Sequence, residues 1–296
     1  MNHPKKSSRI SKQMTEKKTA PSVGKNAEQH TSPAHNPSSD TGANPAKKIS
    51  SDTTDVHFVM QGKGGVGKTT IASLLSQYLK DQDPQTLCID ADPVNASLSD
   101  FKALDPFFLP IVENGEVNQR IFDELVEKIA ETPHDVVIDS GASTFLPLTE
   151  YLSNGPVYSI LRSIKRRPVF HTVIAGGPSQ LHTLQGLNTL LETAPEDADI
   201  VLWINEYHGF GKVLDREGNP DWENIQIIKA NKDRFRAVIC LPTLNAQTYG
   251  EDFREVMTKG MTFEEATKPG SGFKLMAQAR LREIWNRLKE EISNVQ

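Results

Sequence analysis

A run of glycines with two lysines and two threonines, from Gly62 to Thr70, has the residue types and spacing that phosphate chemistry requires. It reads Gly-Lys-Gly-Gly-Val-Gly-Lys-Thr-Thr and satisfies the whole pattern G-x-x-x-x-G-K-[ST]. Glycines let successive backbone N–H groups turn toward an anion, and the N-terminus of a following helix adds positive potential. Lys68 supplies a cation for the β- and γ-phosphates of a nucleotide, and the Thr69 hydroxyl suits Mg²⁺. The sequence therefore predicts a phosphate-binding loop.

The same glycines also satisfy G-x-G-x-x-G, a pattern of dinucleotide-binding folds. Lys68 and Thr69 favour the phosphate loop, because a dinucleotide loop needs neither the cation nor the Mg²⁺ hydroxyl. An ordinary glycine turn between a strand and a helix would leave those two residues unexplained. The predicted nucleotide contacts in the loop are Gly62, Lys63, Gly64, Gly65, Val66, Gly67, Lys68, Thr69 and Thr70.

Three aspartates stand at the ends of apolar runs, where a Mg²⁺-nucleotide site needs acidic groups. Asp139 follows Val-Val-Ile, and we predict that it holds Mg²⁺ directly or through a water, although a carboxylate there can also cap the next turn. Asp90 and Asp92 point to the same side if the chain stays extended. We predict that Asp92 orients the attacking water and that Asp90 supports it near Mg²⁺. Together with Thr69, these aspartates form the predicted metal site.

Two uncharged residues at strand ends have roles that the sequence leaves open. Gly141 follows the Asp139 run, and its N–H either senses a γ-phosphate or belongs to an ordinary turn. Asn205 ends a later apolar run, and its amide either reads a base edge or serves as a turn residue. Pro242 ends the last such run.

Short apolar runs alternate with segments of helical period, which predicts alternating strands and helices. The predicted strands cover residues 56–60, 86–89, 135–138, 169–174, 200–204 and 237–241. The predicted helices cover 71–79, 121–131, 181–191 and a long segment from about 272, with 151–163 weakly helical and 93–116 irregular. We expect one doubly wound, mostly parallel α/β sheet of the P-loop type with helices on both faces, whose ligands collect at the carboxyl ends of the strands.

Composition separates a tail from the folded domain. Hydrophobic residues make up 37% of the 296 residues, which is low for a wholly globular chain. Residues 1–54 lack Phe, Trp and Tyr and carry a net charge of +5, against −10 for the remainder and −5 overall. We therefore predict a disordered basic tail, 1–54, before a P-loop domain, 55–296. A solvated tail is favoured over one that binds DNA or acidic lipid.

Several other classes are disfavoured. The sequence contains no apolar signal region and no window of about 18 apolar residues for a membrane span. Cys88 and Cys240 lie in predicted strands, as reduced core residues of a cytoplasmic protein would. The histidines are scattered and form no H-x-x-x-H pair that would recruit zinc. We predict a cytoplasmic protein.

Two further surfaces are candidate binding sites. The C-terminal helix has an apolar face and a face of mixed charge, which favours packing on the domain over membrane binding. A basic cluster precedes the fourth predicted strand, and a solvated helix end is favoured there over a DNA contact. The apolar face comprises Leu281, Ile284, Trp285, Leu288 and Ile292, and the cluster comprises Arg162, Lys165, Arg166 and Arg167.

The loop resembles the deviant Walker A box of the ParA/MinD ATPase class, whose mark is a second lysine early in the loop, here Lys63. Asp90-Ala91-Asp92-Pro93 is similar to the D-x-D-P box of that class, and Asn205 and Pro242 fall where it has its adenine-contacting Asn and post-strand Pro. The resemblance covers residues 55 to about 290. Further stretches resemble a branch of the class from plasmid conjugative transfer systems: 59–62, 88–97, 102–104, 139–143 and 248–253.

This resemblance implies ATP and Mg²⁺ as ligands, slow hydrolysis and a homodimer that sandwiches nucleotide between its subunits. Lys63 would then reach the phosphates of the partner's ATP, because a cation supplied in trans offsets charge at the transferring phosphate. The alternative is a solvated loop lysine. The predicted catalytic residues are Lys63, Lys68 and Asp92. An iron–sulfur relative is disfavoured, because the chain lacks the cysteines that such a cluster needs.

We therefore expect an ATP-dependent dimerising switch in plasmid transfer, with an unidentified protein partner in the conjugation or partition machinery. One alternative is a plasmid-partition ATPase with weak, non-specific DNA binding. Another is a nucleotide-holding interaction module without useful hydrolysis. A dinucleotide oxidoreductase is the remote alternative.

Overall fold

The computed structural model describes residues 53–113, 116–118, 120–206 and 211–295. Only residues 53 and 54 of the predicted tail fall within this range, so the prediction of a disordered tail lies outside the described residues. The strands are β1 (Thr54–Val59), β2 (Leu87–Ala91), β3 (Phe107–Phe108), β4 (Val112–Glu113), β5 (Glu116–Val117), β6 (Val136–Ser140), β7 (Arg166–Ala175), β8 (Asp199–Asn205) and β9 (Phe235–Cys240). The helices are α1 (Lys68–Gln82), α2 (Arg120–Glu131), α3 (Phe145–Asn154), α4 (Val157–Ser163), α5 (Gln180–Thr193), α6 (Gln226–Ala230), α7 (Tyr249–Thr258), α8 (Phe263–Thr267) and α9 (Leu275–Ser293).

A seven-stranded sheet forms the centre of the described chain, in the order β3-β2-β6-β1-β7-β8-β9. All neighbouring strands in it are parallel, while β4 and β5 form a separate antiparallel hairpin. Parallel neighbours require crossover connections, which the helices between the strands provide. The carboxyl ends of the strands therefore meet at one edge of the sheet.

Two apolar cores lie on opposite faces of this sheet. Phe58 and Val59 are neighbours in β1 and enter opposite cores, because successive strand residues point to opposite faces. Helices α1, α7, α8 and α9 cover the face that receives Val59, and α2 to α6 cover the face that receives Phe58. The predicted doubly wound α/β fold of the P-loop type is confirmed.

Helix α1 begins directly after the predicted phosphate loop and buries the predicted stripe against the sheet. Ile71, Leu74 and Leu75 are fully buried, and Leu79 is nearly so. Burial of such side chains contributes about 1.5–3 kcal/mol each. Gly67 precedes the helix with φ of 103°, a left-handed conformation that glycine adopts without strain. The helix can therefore start at Lys68 and leave its first N–H groups facing the loop.

Four regions differ from the predicted elements, one of them the segment between β8 and β9, where the five-residue helix α6 forms. Residues 93–116 were expected to be irregular, but β3 extends the sheet beside β2 and the β4–β5 hairpin follows it. The segment between Pro242 and α9 contains α7 and α8, which the sequence pattern did not predict. Helix α8 has five residues, too few for a visible apolar period, and it depends on a capping box between Thr262 and Glu265. Helices α3 and α4 replace the single weak helix predicted over 151–163.

Helix α9 packs on the domain through its predicted apolar face. Leu281, Ile284, Leu288 and Ile292 are buried, and Trp285 stacks on Phe263 of α8 with ring centroids 5.0 Å apart. Within the described residues, no helix combines the length and apolar character needed to cross a membrane.

The basic cluster divides into an exposed end of α4 with Arg162 and Lys165, as predicted, and a part built into β7 with Arg166 and Arg167. The Arg162 guanidinium donates to both carboxylate oxygens of Asp197 at 2.6 and 2.7 Å. Arg167 makes a two-pronged pair with Asp55, at 2.7 Å for each bond. Arg166 is buried and donates to the Thr54 hydroxyl and to the His134 carbonyl. Arg166 and Arg167 are therefore engaged within the fold, because β7 begins with them and pairs with β1.

Candidate nucleotide-binding site

The predicted loop leaves the carboxyl end of β1, between β6, which carries Asp139, and β7. Val59, at the end of β1, is level with Asp139 of β6, and Asp139 is level with Asp90 of β2. Asn205 ends β8, on the other side of β7. The sheet order thus brings the loop, both acidic strand ends and Asn205 to one edge, as predicted for a doubly wound fold.

Contacts at both ends hold the loop in place. At its start, the α-carbon of Gly62 lies against the Phe145 ring, and a Cβ there would come within 3.0 Å of it. At its end, the buried Asn205 amide donates to the Val66 carbonyl at 2.9 Å. A Cβ on Gly67 would come within 2.8 Å of that amide nitrogen, so the close approach requires glycine.

Lys68 points back into the loop, where its ammonium donates to the Lys63 carbonyl at 3.3 Å. Its side chain is buried, and burial lowers the pKa of its ammonium, while the carboxylates of Asp139 and Asp92 raise it. A buried cation with one long hydrogen bond to a neutral carbonyl has capacity for an anionic ligand. This arrangement matches the predicted role of Lys68 toward phosphates.

Asp139 is buried, and neither of its carboxylate oxygens accepts a hydrogen bond from the described residues. Burial raises the pKa of this carboxyl to about 7, and the Asp90 carboxylate adds to that rise. The Thr69 hydroxyl, outside hydrogen-bonding geometry, and the Lys68 ammonium oppose it. Buried acidic oxygens without partners are costly unless a cation pairs with them. Asp139 and Thr69 therefore fit a Mg²⁺ ion.

The described residues contain no group of three or more His, Cys, Asp or Glu side chains arranged to hold a metal. The sequence predicted that Asp90, Asp92 and Asp139 surround the metal together with Thr69, and the structure does not assemble these three aspartates in that way because Asp90 and Asp92 are engaged by the segment after β2. The residues that fit Mg²⁺ are Thr69 and Asp139, with the phosphates of the nucleotide supplying further oxygens.

Asp90 and Asp92 both form hydrogen bonds within the segment after β2. The Asp90 carboxylate accepts from the Ser99 N–H and hydroxyl, each at 2.8 Å, and from the Asp92 N–H at 3.2 Å. Burial raises the pKa of the Asp90 carboxyl, and the bonds from Ser99 oppose the shift. Asp92 Oδ1 accepts from the N–H groups of Val94 and Asn95 at 2.9 and 3.1 Å. Asp90 anchors this segment, while Asp92 lines a cavity beside the loop.

The loop opens onto a cavity of about 730 Å³. One end is lined by the loop and by Asp92, and the other is apolar. Asn205 and Pro242 lie on its wall. The apolar end is formed by Leu241, Leu244, Phe253, Ile284 and Leu288, with Arg254 beside them.

Sequence reasoning did not identify the apolar end. Phe253, Ile284 and Leu288 occupy ordinary core positions of amphipathic helices, and nothing in the helical period distinguishes a residue facing a cavity from one facing a core. Phe253 belongs to the stretch 248–253 that resembles the conjugative branch. That resemblance was the one available signal for this part of the wall.

Gly141 and Asp92 come together from different strands. Gly141 follows β6, and a Cβ on it would lie 2.6 Å from Asp92 Oδ1. Glycine thus allows the Asp92 carboxylate to rest against the backbone after the Asp139 strand. The predicted sensing of a γ-phosphate by the Gly141 N–H and the predicted reading of a base by Asn205 stay predictions.

Comparison with known proteins identifies the family. The profile of the CbiA family, described as the CobQ/CobB/MinD/ParA nucleotide-binding domain, matches residues 57–263. Two proteins named Protein TraL, from Escherichia coli, are 40% identical over 237 residues and 39% identical over 239 residues. These alignments cover 80% and 81% of this chain and 96% and 97% of the relatives. The solved MinD cell division protein of Aquifex aeolicus is 15% identical, with 81% of this chain and 98% of that chain covered and a TM-score of 0.43.

The chain belongs to the CobQ/CobB/MinD/ParA family of nucleotide-binding domains. The family predicted from the Lys63 loop and the Asp90–Pro93 box is therefore confirmed. Within it, the chain is similar to the TraL proteins of Escherichia coli over nearly their whole length, which confirms the more specific resemblance predicted from stretches such as 88–97.

Proposed function

We propose that this chain is a Mg²⁺- and ATP-dependent P-loop ATPase with slow turnover, which dimerises with ATP and acts as a switch in plasmid conjugative transfer. One observation carries the proposal: the partnerless, buried carboxylate of Asp139 lies at the strand end beside the phosphate loop. The similarity to TraL supports the transfer role. The proposed organisation is a basic tail, 1–54, ahead of a cytoplasmic domain, 55–296.

The residues at the strand ends have complementary proposed roles. Backbone N–H groups of the loop and the Lys68 ammonium bind the phosphates. Thr69 and Asp139 hold Mg²⁺, which neutralises charge on the phosphate oxygens when it is bound. Asp92 lies on the cavity and orients water, and Asp90 fixes the segment that carries Asp92. Pro242 and the apolar end of the cavity receive the base.

Lys63 is the residue through which dimerisation would depend on nucleotide. Within the described part of the chain, its ammonium forms no hydrogen bond or ion pair, and only its carbonyl is engaged, by Lys68. A free cation beside the loop is available to the phosphates of a partner's ATP. This proposed contact makes ATP the bridge between the two copies.

Light scattering with and without Mg-ATP, beside a phosphate-release assay, tests the proposal. We expect the wild type to double its mass in Mg-ATP and to release phosphate slowly. Lys68→Ala should lose ATP binding, Lys63→Ala should bind ATP yet stay monomeric, and Asp92→Ala should form a persistent dimer. Lys128→Ala, a half-exposed lysine of α2 that pairs with Glu131 and lies over the Phe107 ring, is the matched control and should behave as wild type. An unchanged mass in ATP for both the wild type and Asp92→Ala would exclude the ATP-bridged dimer.

Other outcomes would indicate the alternative functions. DNA binding that needs ATP and weakens steeply with salt would indicate a partition ATPase. ATP-dependent dimerisation without phosphate release would indicate an interaction module. Binding of NADH instead of ATP would indicate a dinucleotide enzyme. Arg166 and Arg167 are engaged in internal contacts, so Arg162 and Lys165 are the exposed members of the basic cluster, and Arg162 is paired with Asp197.

A further inference from the structure

Gln61, the residue immediately before the loop, has a fully buried side chain with an unusual set of contacts. The two N–H bonds of its amide lie within hydrogen-bonding distance of three acceptors, the Val173 carbonyl at 3.0 Å, the Thr183 carbonyl at 3.1 Å and the Thr172 hydroxyl at 3.3 Å, so one of them is shared. Val173 and Thr172 belong to β7, and Thr183 belongs to α5. One side chain therefore joins the end of β1 to the neighbouring strand and to the helix above it.

The amide oxygen of Gln61 is held in place by packing and not by a hydrogen bond. It is buried, accepts no hydrogen bond from the described residues and faces Gly186 in the middle of α5. A Cβ on Gly186 would lie 1.9 Å from this oxygen and 2.7 Å from the carbon that bears it. No other residue fits there while Gln61 keeps its place. Glycine is disfavoured inside a helix and a buried acceptor without a partner is unfavourable, so the pair requires an explanation beyond fold stability.

The position of Gln61 suggests that explanation. The backbone N–H of Met60 still pairs with the His171 carbonyl at 2.8 Å, so the chain leaves the sheet at Gln61 itself. Gly62 follows directly, and a Cβ on it would come within 3.0 Å of the Phe145 ring at the start of α3. Thr183 is also tied to the end of β7, because its hydroxyl accepts from the Ala175 N–H at 3.2 Å. The exit direction of the loop is thus fixed by contacts with α5, β7 and α3.

We propose that Gln61 is a positioning residue, locked by Gly186 and Thr183, that sets the path of the phosphate loop and thereby its affinity for nucleotide. The inference rests on the proposed function in so far as the ligand is ATP. The contacts of Gln61 with Gly186 and Thr183 lie within the chain, so they fix its position before any ligand binds. Small displacements of groups that bind phosphate cost large factors in binding, so rigid support of the loop has a measurable value.

A double-substitution cycle separates this role from general stability. Gln61→Ala removes the amide, and Gly186→Ala pushes it aside. Each alone should weaken Mg-ATP binding about ten- to a hundredfold. In the Gln61→Ala background, however, Gly186→Ala has space for its methyl group and should change affinity less than about twofold. Such non-additivity is expected only if the two residues act through one contact.

Gln77→Ala is the matched control. Gln77 is also a buried glutamine, and its amide links α1 to α8 by accepting from the Phe263 N–H at 2.8 Å. Its replacement should lower the melting temperature as much as Gln61→Ala does but leave Mg-ATP affinity unchanged. Hydrogen exchange of residues 62–68 without nucleotide is the second readout. It should accelerate in Gln61→Ala and Gly186→Ala but not in Gln77→Ala.

The outcomes are distinguishable. If the wild type binds no ATP, the proposed function fails, and the exchange measurement alone decides whether Gln61 orders the loop. If the wild type binds ATP and Gln61→Ala binds equally well with unchanged exchange, the positioning role is wrong. Additive effects of Gln61→Ala and Gly186→Ala would also overturn it. If Gly186→Ala fails to fold, Gln61→Ala and Gln77→Ala still give the decisive comparison.

Discussion

The side-chain amide of Asn205 donates a 2.9 Å hydrogen bond to the Val66 carbonyl, joining the end of β8 to the interior of the phosphate loop, 139 residues earlier. Asn205 also lies on the wall of the cavity. Asn205 therefore supports the loop. The family resemblance predicts a second role for it, a contact with the base.

Replacement of Asn205 distinguishes these two roles. We expect Asn205→Ala to weaken ATP and inorganic tripolyphosphate equally, by about 1–3 kcal/mol, because it leaves the buried Val66 carbonyl without a partner. Calorimetric titration with both ligands measures this. Asn188→Ala, an exposed amide on α5, serves as the control. A loss confined to ATP would show that Asn205 reads the base and does not act through the loop.

Substitution of Gly141 should displace the Asp92 carboxylate while leaving the identity of residue 92 unchanged. The methyl group of Gly141→Ala collides with the Asp92 carboxylate, so we expect phosphate release to fall at least about tenfold while ATP binding is retained. The φ of −65° at Gly141 suits alanine, so backbone strain is not a competing cause. In an Asp92→Ala background, the methyl group still approaches Pro93 Cδ at 3.1 Å, so the same substitution should have only a small further effect. A fall as large as in the wild-type background would show that the defect does not act through Asp92.

Neutralising Asp139 should stabilise the protein without ligand and impair its function. Asp139→Asn removes a buried, partnerless charge, and we expect the free energy of unfolding at pH 8 to rise by about 1–2 kcal/mol. The extra stability that Mg-ATP gives the wild type should be lost, because the Mg²⁺ ligand is gone. Thermal unfolding with and without Mg-ATP measures both effects. Asp135→Asn, at the opposite end of the strand, should keep the Mg-ATP effect.

The buried pair His57 and His171 predicts a specific pH dependence of stability. The Trp203 indole N–H donates to His171 Nδ1 at 3.0 Å, so the proton of His171 sits on Nε2 and is donated to His57 Nδ1 at 2.9 Å. Burial lowers the pKa of His57 to about 4. The folded protein therefore binds fewer protons than the unfolded chain between about pH 4 and the unfolded pKa of 6.5. Stability from neutral His57 is complete above that window and is lost as the pH falls through it.

Comparison with His57→Phe isolates this contribution, since the raised pKa of the Asp139 carboxyl acts with the opposite sign over the same range. Urea unfolding should give a difference in free energy, wild type minus variant, that falls by roughly 3 kcal/mol from pH 6.5 to pH 4. A difference that is constant with pH would mean that His57 titrates normally in the folded state.

Much of the fold was predictable because its signals are local. The strand over 200–204 is a continuous apolar run, and the α1 stripe repeats at helical period. Helices α6 and α8, with five residues each, contain barely one turn and were missed. The edge strand β3 has two residues and exists only because β2 offers it a partner. Such elements are stabilised by tertiary neighbours, which no window of sequence contains.

The sequence by itself determined the chemistry of the loop: glycines where backbone must approach phosphate, Lys68 and Thr69 after them, and aspartates at strand ends. Tertiary structure decided which of these groups are free and which are engaged. Asp90 is tied to Ser99, Asp139 is left without a partner, and Gln61 is fitted to Gly186. The physical reason is that hydrogen bonding and close packing depend on the strand order and on how the helices pack on the two faces of the sheet. Those are global outcomes of burying two apolar cores, whereas residue type and spacing are fixed along the chain itself.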